Sequence, residues 1–425
     1  MVRVKTLGVL VLVGLTAIGG CKRKLPTPPA AEAPQQSTQP AAPIPPPTQA
    51  APGAAGYHAA IDAAHQATAR RLIEGGVDYL LARRDSDGAW SVGDGRMLQP
   101  ALTAMAIKAL VQDPRFTHTS PEVRTALDVL LRYRQDDGGI YDPDQGMASY
   151  TTSVAVMALV VTGAEKYHPI VRDAVGFLRG RQIVPGDESP DGEPIDEDHP
   201  FVGGVSYGSK HGRPDLSNVS MWMQALHDAG APGDDPDMQR ALRFVTRVQN
   251  RSESNPMVWA SQGGNDGGFI YAPALAGDPT MGESKAGPGL GGRGLRSYGS
   301  MTYAGFKSML YADLDGDDPR VRAAFNWIRR YWRMDSNPNM PAARSLQGLY
   351  YYYHVLAKAL AAWGQPVITD AEGIEHNWRH ELIDALAERV SDDGSWVNNA
   401  DRWYEGEPVL VTCFAVIALQ EATRP

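Results

Sequence analysis

GVDYLLARRDSDGAW, Gly76 to Trp90, contains two kinds of order. In GVDYLLARR the apolar residues fall at helical spacing, so this part reads as an amphipathic helix. DSDGAW, residues 85 to 90, is punctuation. Asp bonds its own backbone, Gly accepts a positive φ, and the Trp that follows can pack back on the helix just completed. The stretch therefore reads as helix, tight turn and aromatic plug.

Working outward, the same order returns along the chain. Related turns are QDDGGI (135 to 140), VGGVSY (202 to 207), NDGGFIY (265 to 271) and SDDGSW (391 to 396). The helical patterns beside them are ALDVLLRYRQ, AVGFLRGRQ, ALRFVTRVQN, VRAAFNWIRRYW and ELIDALAERV. After each comes a second, more apolar helix with a shared ending: TAMAIKAL (103 to 110), TSVAVMAL (152 to 159), VSMWMQAL (219 to 226), YAGFKSML (303 to 310), YHVLAKAL (353 to 360) and TCFAVIAL (412 to 419). Self-similarity at this period marks a repeat architecture, here six helix pairs, of which the fifth lacks the Gly turn.

GVDYLLARRDSDGAW resembles the QW repeat of squalene-hopene cyclases and of the β-subunits of protein prenyltransferases, with Arg84 where the family has Gln. ALAERVSDDGSW is a second copy, with Val390 at that place. The resemblance implies an all-α (α/α)6 toroid, a double ring of six outer and six inner helices around a central cavity. The same ring serves unrelated chemistries, so it predicts architecture before activity.

In that ring the second helix of each pair faces the cavity. Aligning the six copies on their final Leu places Ala104, Ser153, Ser220, Ala304, His354 and Cys413 in one row, and His354 is expected to protrude into the lumen. Tyr350 and Tyr351 precede it by four and three residues and share its helical face. His354, Tyr350 and Tyr351 are therefore the candidate catalytic residues, suited to acid–base work or to stabilising a cation. RPDLSNVSMW (213 to 222) and LRSYGSMTYAGFK (295 to 307) place further polar side chains near the starts of inner helices. Asp215, Asn218, Trp222, Tyr298, Tyr303 and Tyr353 are the candidate ligand-binding residues, with an N-cap role as the plain alternative for Asp215.

The family's hallmark catalytic sets are not matched. The Tyr353-His354 pair looks like the Tyr-His element of the zinc-binding prenyltransferases, but SYGSMTYAGF offers neither carboxylate nor thiol, and a zinc site needs at least three protein ligands. No metal and no cofactor is expected. Asp315-Gly316-Asp317-Asp318 spells the D-x-D-D of class II cyclases, yet Pro319 follows, and acids before a Pro at a first helical turn are ordinary helix-start chemistry. VQDPR (111 to 115) and APGDDPDMQR (231 to 240) occupy the same place in other units. The acidic insert Gly186 to His199 reads as a solvated loop. AGDPTMGESKAGPGLGGRG (276 to 294) lacks the spacing of a phosphate-binding loop, which leaves no nucleotide site, and reads as a rim loop over the cavity.

The domain plan is a signal peptide over 1–20, a Pro/Ala-rich disordered tether over 21–56 and the toroid over 57–425. MVRVK followed by LGVLVLVGLTAI is too short an apolar run for a bilayer span of about 20 residues. Ile18-Gly19-Gly20-Cys21 resembles a bacterial lipoprotein processing box, which implies lipidation of Cys21, a membrane partner through that anchor, and export to the cell envelope. With Cys21 lipidated, Cys413 has no disulfide partner. A net charge of −9 argues against nucleic acid.

Three functions fit this reading. The first is a cavity that binds an apolar or isoprenoid-like ligand. The second is a polysaccharide-active, lyase-like enzyme using Tyr and His, and the third is a cell-envelope scaffold that binds another protein.

Overall fold

The computed structural model describes residues 61–424 apart from 94–96, 276–277, 279, 290–291 and 293. The expected signal peptide, the lipidation site Cys21 and the tether lie outside the described residues. Among those described, no helix is long and apolar enough to cross a membrane.

The inner helices are α2 (Gln99–Val111), α4 (Ala148–Val161), α6 (Leu216–Asp228), α9 (Gly299–Tyr311), α11 (Leu349–Trp363) and α13 (Pro408–Ala422). Nearly every residue of α2, α4 and α13 is buried, as expected of a helix apolar on all faces. The outer helices are α1 (Ala63–Ala82), α3 (Pro121–Leu131), α5 (His168–Gly180), α7 (Pro236–Thr246), α10 (Pro319–Arg330) and α12 (Trp378–Ala387). These bury one stripe each, such as Met238, Ala241, Leu242 and Val245 of α7. Among the described residues there are also a one-turn α8 (Val258–Ser261), short 3-10 turns such as Pro143–Gln145 and Ala342–Arg344, and a small antiparallel hairpin, β1 (Val367–Thr369) with β2 (Glu375–Asn377).

Closure of the ring follows from which helices touch. α2 packs on α4, α4 on α6, α6 on α9, α9 on α11, α11 on α13, and α13 returns to α2. Outside, α5 bridges α4 and α6, α7 bridges α6 and α9, and α12 bridges α11 and α13. The fold is the (α/α)6 toroid.

The Gly turn of DSDGAW, residues 85 to 90, and its copies are the joints of this ring. Gly88, Gly138, Gly203, Gly267 and Gly394 all have φ between 83° and 88°. Each abuts the next outer helix: a Cβ on Gly203 would lie 1.9 Å from the Arg240 carbonyl oxygen, and one on Gly394 2.6 Å from that of Gly75. Only Gly satisfies both the dihedral and the approach. The residue after the turn is then clamped by an inner helix, since Thr103, Thr152, Thr302 and Thr412 accept the backbone N–H of Trp90, Ile140, Phe269 and Trp396 at 3.0–3.2 Å. Trp90 and Trp396 donate their indole N–H to Leu80 and Leu386 at 2.7 and 2.8 Å, tying the end of the outer helix just completed.

The clamps correct the sequence alignment of the fourth unit. Thr302, not Tyr303, matches Thr103, Thr152 and Thr412, so Met309 rather than Leu310 is the true counterpart of the final Leu.

The D-x-D-D run proves to be a connector. Asp318 caps α10 and pairs with Arg320 at 2.7 Å, as Asp113 pairs with Arg115 at 2.8 Å in the first unit. Burial would raise the Asp318 pKa, but the Arg320 guanidinium and backbone donors hold it below the usual value, the opposite of what a proton donor requires. In the acidic insert, Asp187 pairs with Lys210 and Glu197 with Arg243.

Candidate functional site: an aromatic chamber and its polar floor

All six inner helices point their N-terminal turns at one cavity of 430 Å³. With the fourth unit in its corrected register, the residues nine before the reference position are Ala101, Tyr150, Ser217, Ser300, Tyr351 and Leu410, and every one lines the chamber. One turn deeper, Met105, Met221 and Phe414 continue the wall. Spacings of four and three residues keep one helical face on the axis. The lining is aromatic and thioether-rich, as small-molecule sites generally are.

Loops close the upper wall. Tyr207 and Tyr271 arrive from the third and fourth turns, Tyr298 from the residue before α9, and Trp403, Tyr404 and Glu405 from the segment before α13. The rim loop contributes Lys285, whose ammonium lies 4.3 Å from the Tyr271 ring. Trp403 and Tyr404 have φ of 56° and 63° and are 41% and 47% exposed. Two successive bulky residues in the left-handed region are strained, and such strain concentrates at ligand sites.

Two buried carboxyls stand at this end. Asp215 caps α6, accepting the Asn218 backbone N–H at 3.1 Å, the Asn218 amide at 2.7 Å and the Ser217 hydroxyl at 2.5 Å. Burial raises its pKa, while those bonds and one with Tyr271 restrain the rise. Glu405 is 1% exposed and lines the chamber. It accepts the Tyr351 backbone N–H at 2.8 Å at the start of α11 and the Asn398 amide at 2.6 Å. Burial pushes its carboxyl up to about 7 against the restraint of these donors.

The C-terminal half of the lumen is a polar floor. Lys108 stands 3.7 Å from Asp228, Lys307 donates to Gln224 at 2.7 Å, and Lys358 pairs with Glu421. Six helix C-termini converge here, and their negative dipole ends favour cations. Burial, together with the neighbouring Lys358, lowers the Lys307 pKa to about 7.

Of the sequence candidates, Tyr298 and Tyr351 line the chamber. His354 does not protrude into it. It lies on the flank of the axial strip, packed on Phe414 with ring centroids 5.3 Å apart, and burial followed by the charges of Lys358, Lys307 and Lys108 drives its pKa well below the ordinary value. Its row belongs to seams between inner helices, where Ser220 donates to the Ala304 carbonyl at 3.3 Å. Tyr350 packs edge-on against Tyr353, and Tyr303 against Tyr352. Tyr353 donates outward to the Met334 carbonyl. Trp222 faces away from the lumen and ties the end of α5 through Leu178 at 2.8 Å. Asp215 and Asn218 form the α6 cap just behind the wall.

Sequence reasoning missed Tyr150, Tyr207, Tyr271, Trp403, Tyr404 and Glu405. The signal was the phase of the inner helix: once the Thr row is assigned to the turns, the axial rows follow from helical geometry. The lining loops carry no comparable periodicity.

Neither a family model nor a curated protein matches the chain. Solved structures do. A variant of the type II terpene cyclase MstE from Scytonema, in complex with its substrate geranylgeranyl dihydroxybenzoate, superposes with a TM-score of 0.53 at 13% identity over 85% of this chain and 99% of that one. Another variant of the same cyclase, holding its product merosterolic acid A, gives the same figures. A protein from Actinoplanes matches with a TM-score of 0.50 at 18% identity, over 84% of this chain and all of its own. At these identities the likeness is one of fold.

Proposed function

We propose that the chamber binds an apolar, isoprenoid-like ligand. The observation that carries this reading is the chamber itself, to which all six inner helices contribute side chains, most of them apolar or aromatic, at their N-terminal ends. The terpene cyclase that shares the fold holds a geranylgeranyl-bearing aromatic substrate. Aromatic faces also attract positive charge, so such a wall suits a carbocation as well as a neutral chain.

Glu405 favours a second step, proton transfer to the bound ligand. A carboxyl titrating near 7 inside an apolar chamber is a matched general acid at neutral pH. The reaction class is then a cyclase-like isomerisation, with Glu405 in place of the D-x-D-D run. The Glu405 proton adds to one alkene carbon as the π bond breaks, and the cation left on the other carbon is taken up by a second double bond in ring closure. Loss of a neighbouring C–H proton back to the Glu405 carboxylate restores both acid and alkene. The lyase-like reading draws less support, because among the described residues the lining contains no His, Arg or Asn. A scaffold role would leave the chamber without purpose. We place the toroid at the cell envelope, held there by the lipid on Cys21.

Native mass spectrometry of the protein purified from its host tests the binding step. A co-purified hydrophobic species is expected in the wild type and at much lower occupancy in Ala101→Trp, whose indole would project from the α2 wall into the chamber. A folded wild type that carries no ligand and shows no thermal shift with farnesyl or geranylgeranyl compounds would overturn the reading.

A further inference from the structure

Glu405 reaches the chamber from a small closed loop. The Asn398 backbone N–H donates to the Glu405 carbonyl at 2.9 Å, which joins the ends of residues 398–405 at a neck. Inside the loop the Glu405 backbone N–H donates to the Arg402 carbonyl at 3.2 Å, and Asp401 accepts the Gly406 N–H at 3.0 Å. Trp403 and Tyr404 belong to the same loop, so the acid and the two strained residues at the mouth are carried together.

Asn398 ties this loop. It is 4% exposed, and both polar atoms of its side chain are engaged. Its side-chain oxygen accepts the Ala400 N–H at 2.9 Å, while its amide donates to the Leu346 carbonyl at 2.7 Å and to Glu405 Oε2 at 2.6 Å. The opposite orientation would set an oxygen against two acceptors and an amide NH2 against a donor, so the network admits only this one. Glu405 Oε1 accepts the Tyr351 N–H at 2.8 Å, and the Tyr350 and Leu349 N–H groups of the same helix start also favour the carboxylate. A carboxyl has four lone-pair sites. The start of α11 draws on Oε1 and the Asn398 amide on Oε2, which leaves the second site of Oε2 for an acid proton.

We propose that Asn398 is the positioning residue of the chamber's acid: it holds Glu405 Oε2 from behind the wall and directs the acid proton at the bound ligand. Glu405 lines the chamber and Asn398 does not, so the site that the amide leaves open is the one on the chamber side. This role rests on Glu405 as the proton donor. The same amide favours the ionised carboxyl, so it opposes the effect of burial and keeps the acid near neutral pH. The ionisable groups about Glu405 are Tyr350 and Tyr351 of α11, Asp401, Arg402, Tyr404 and Glu407 on its own segment, and Lys285 in the chamber wall. Burial and the hydrogen bonds act on its carboxyl more strongly than any of these charges.

The test follows the Glu405 titration through stability, comparing each protein in urea from pH 5 to 10 with its own Glu405→Gln partner. In the wild type the difference fades as the pH rises through about 7. Asn398→Ala removes a donor that favours the carboxylate, so the midpoint should rise by about one to two pH units, the worth of one hydrogen bond to a charged group. Asn398→Asp keeps the contact with Ala400 and sets a second carboxyl beside the first, so it should raise the midpoint further, because the pair retains its last proton. A residue that merely braced the loop would lower stability at every pH and leave the midpoint in place. That result in both variants, or a wild type with no midpoint in the range, would overturn the proposal. Turnover of a geranylgeranyl compound is measured alongside, and kcat should fall at least about tenfold in Asn398→Ala with KM little changed. A wild type that makes no product while the midpoint moves as expected would support the pairing of Asn398 with Glu405 and tell against proton transfer to the ligand.

Discussion

Glu405 combines near-complete burial with a place on the chamber wall, and its titration can be read from stability alone. Its folded pKa of about 7 lies above the ordinary 4.5, so between these values the folded chain holds a proton that the unfolded chain has released. The stability it contributes is complete below pH 4.5 and is lost as the pH rises through 7, a change on the order of 3 kcal/mol. Glu405→Gln should remove that slope in urea denaturation between pH 5 and 8; identical slopes in the two proteins would mean the carboxyl is ionised throughout. Asp317 gives the contrasting case. It is exposed in the connector before α10, and Asp317→Asn should shift stability by less than about 0.5 kcal/mol and leave ligand affinity unchanged. Loss of binding in that variant with the fold intact would return the D-x-D-D run to the site. At this scale the sequence was least legible. His354 attracted attention because it is large in a row of small residues, but that row faces a helix seam, and a departure of some 60° around a helix separates seam from lumen.

At the scale of elements, the helix pairs and the Gly turns were plain in the sequence because helix periodicity and turn chemistry are local. The register of the fourth inner helix was not, since Thr302 and Tyr303 both carry hydroxyls and only the turn that Thr302 clamps tells them apart. The turns yield a graded expectation. Gly203→Ala demands a left-handed Ala and a Cβ 1.9 Å from a backbone oxygen, so the cost should exceed about 3 kcal/mol. Gly146→Ala, with φ of 63° and open space around the Cβ, should cost only about 1–2 kcal/mol. Thermal unfolding of the two variants side by side checks the order, and equal losses would argue against the turn as a joint of the ring.

For the molecule as a whole, the closed ring explains why one end of the lumen is apolar and the other charged. Parallel inner helices bring six N-termini to the mouth, where Asp215 and Glu405 cap two of them, and six C-termini to the floor, where Lys108, Lys307 and Lys358 lie. The repeat count revealed this architecture. The chamber wall stayed hidden because half of it comes from loops whose approach is set by the tertiary fold. The most direct measurement is photo-crosslinking with a geranylgeranyl probe bearing a diazirine, mapped by peptide mass spectrometry. Labels are expected on Met105, Tyr150, Met221, Met301, Tyr351 and Phe414 and should fall sharply in Ala101→Trp. Labelling spread over the outer helices, or unchanged in that variant, would contradict a ligand-binding chamber on the axis of the ring.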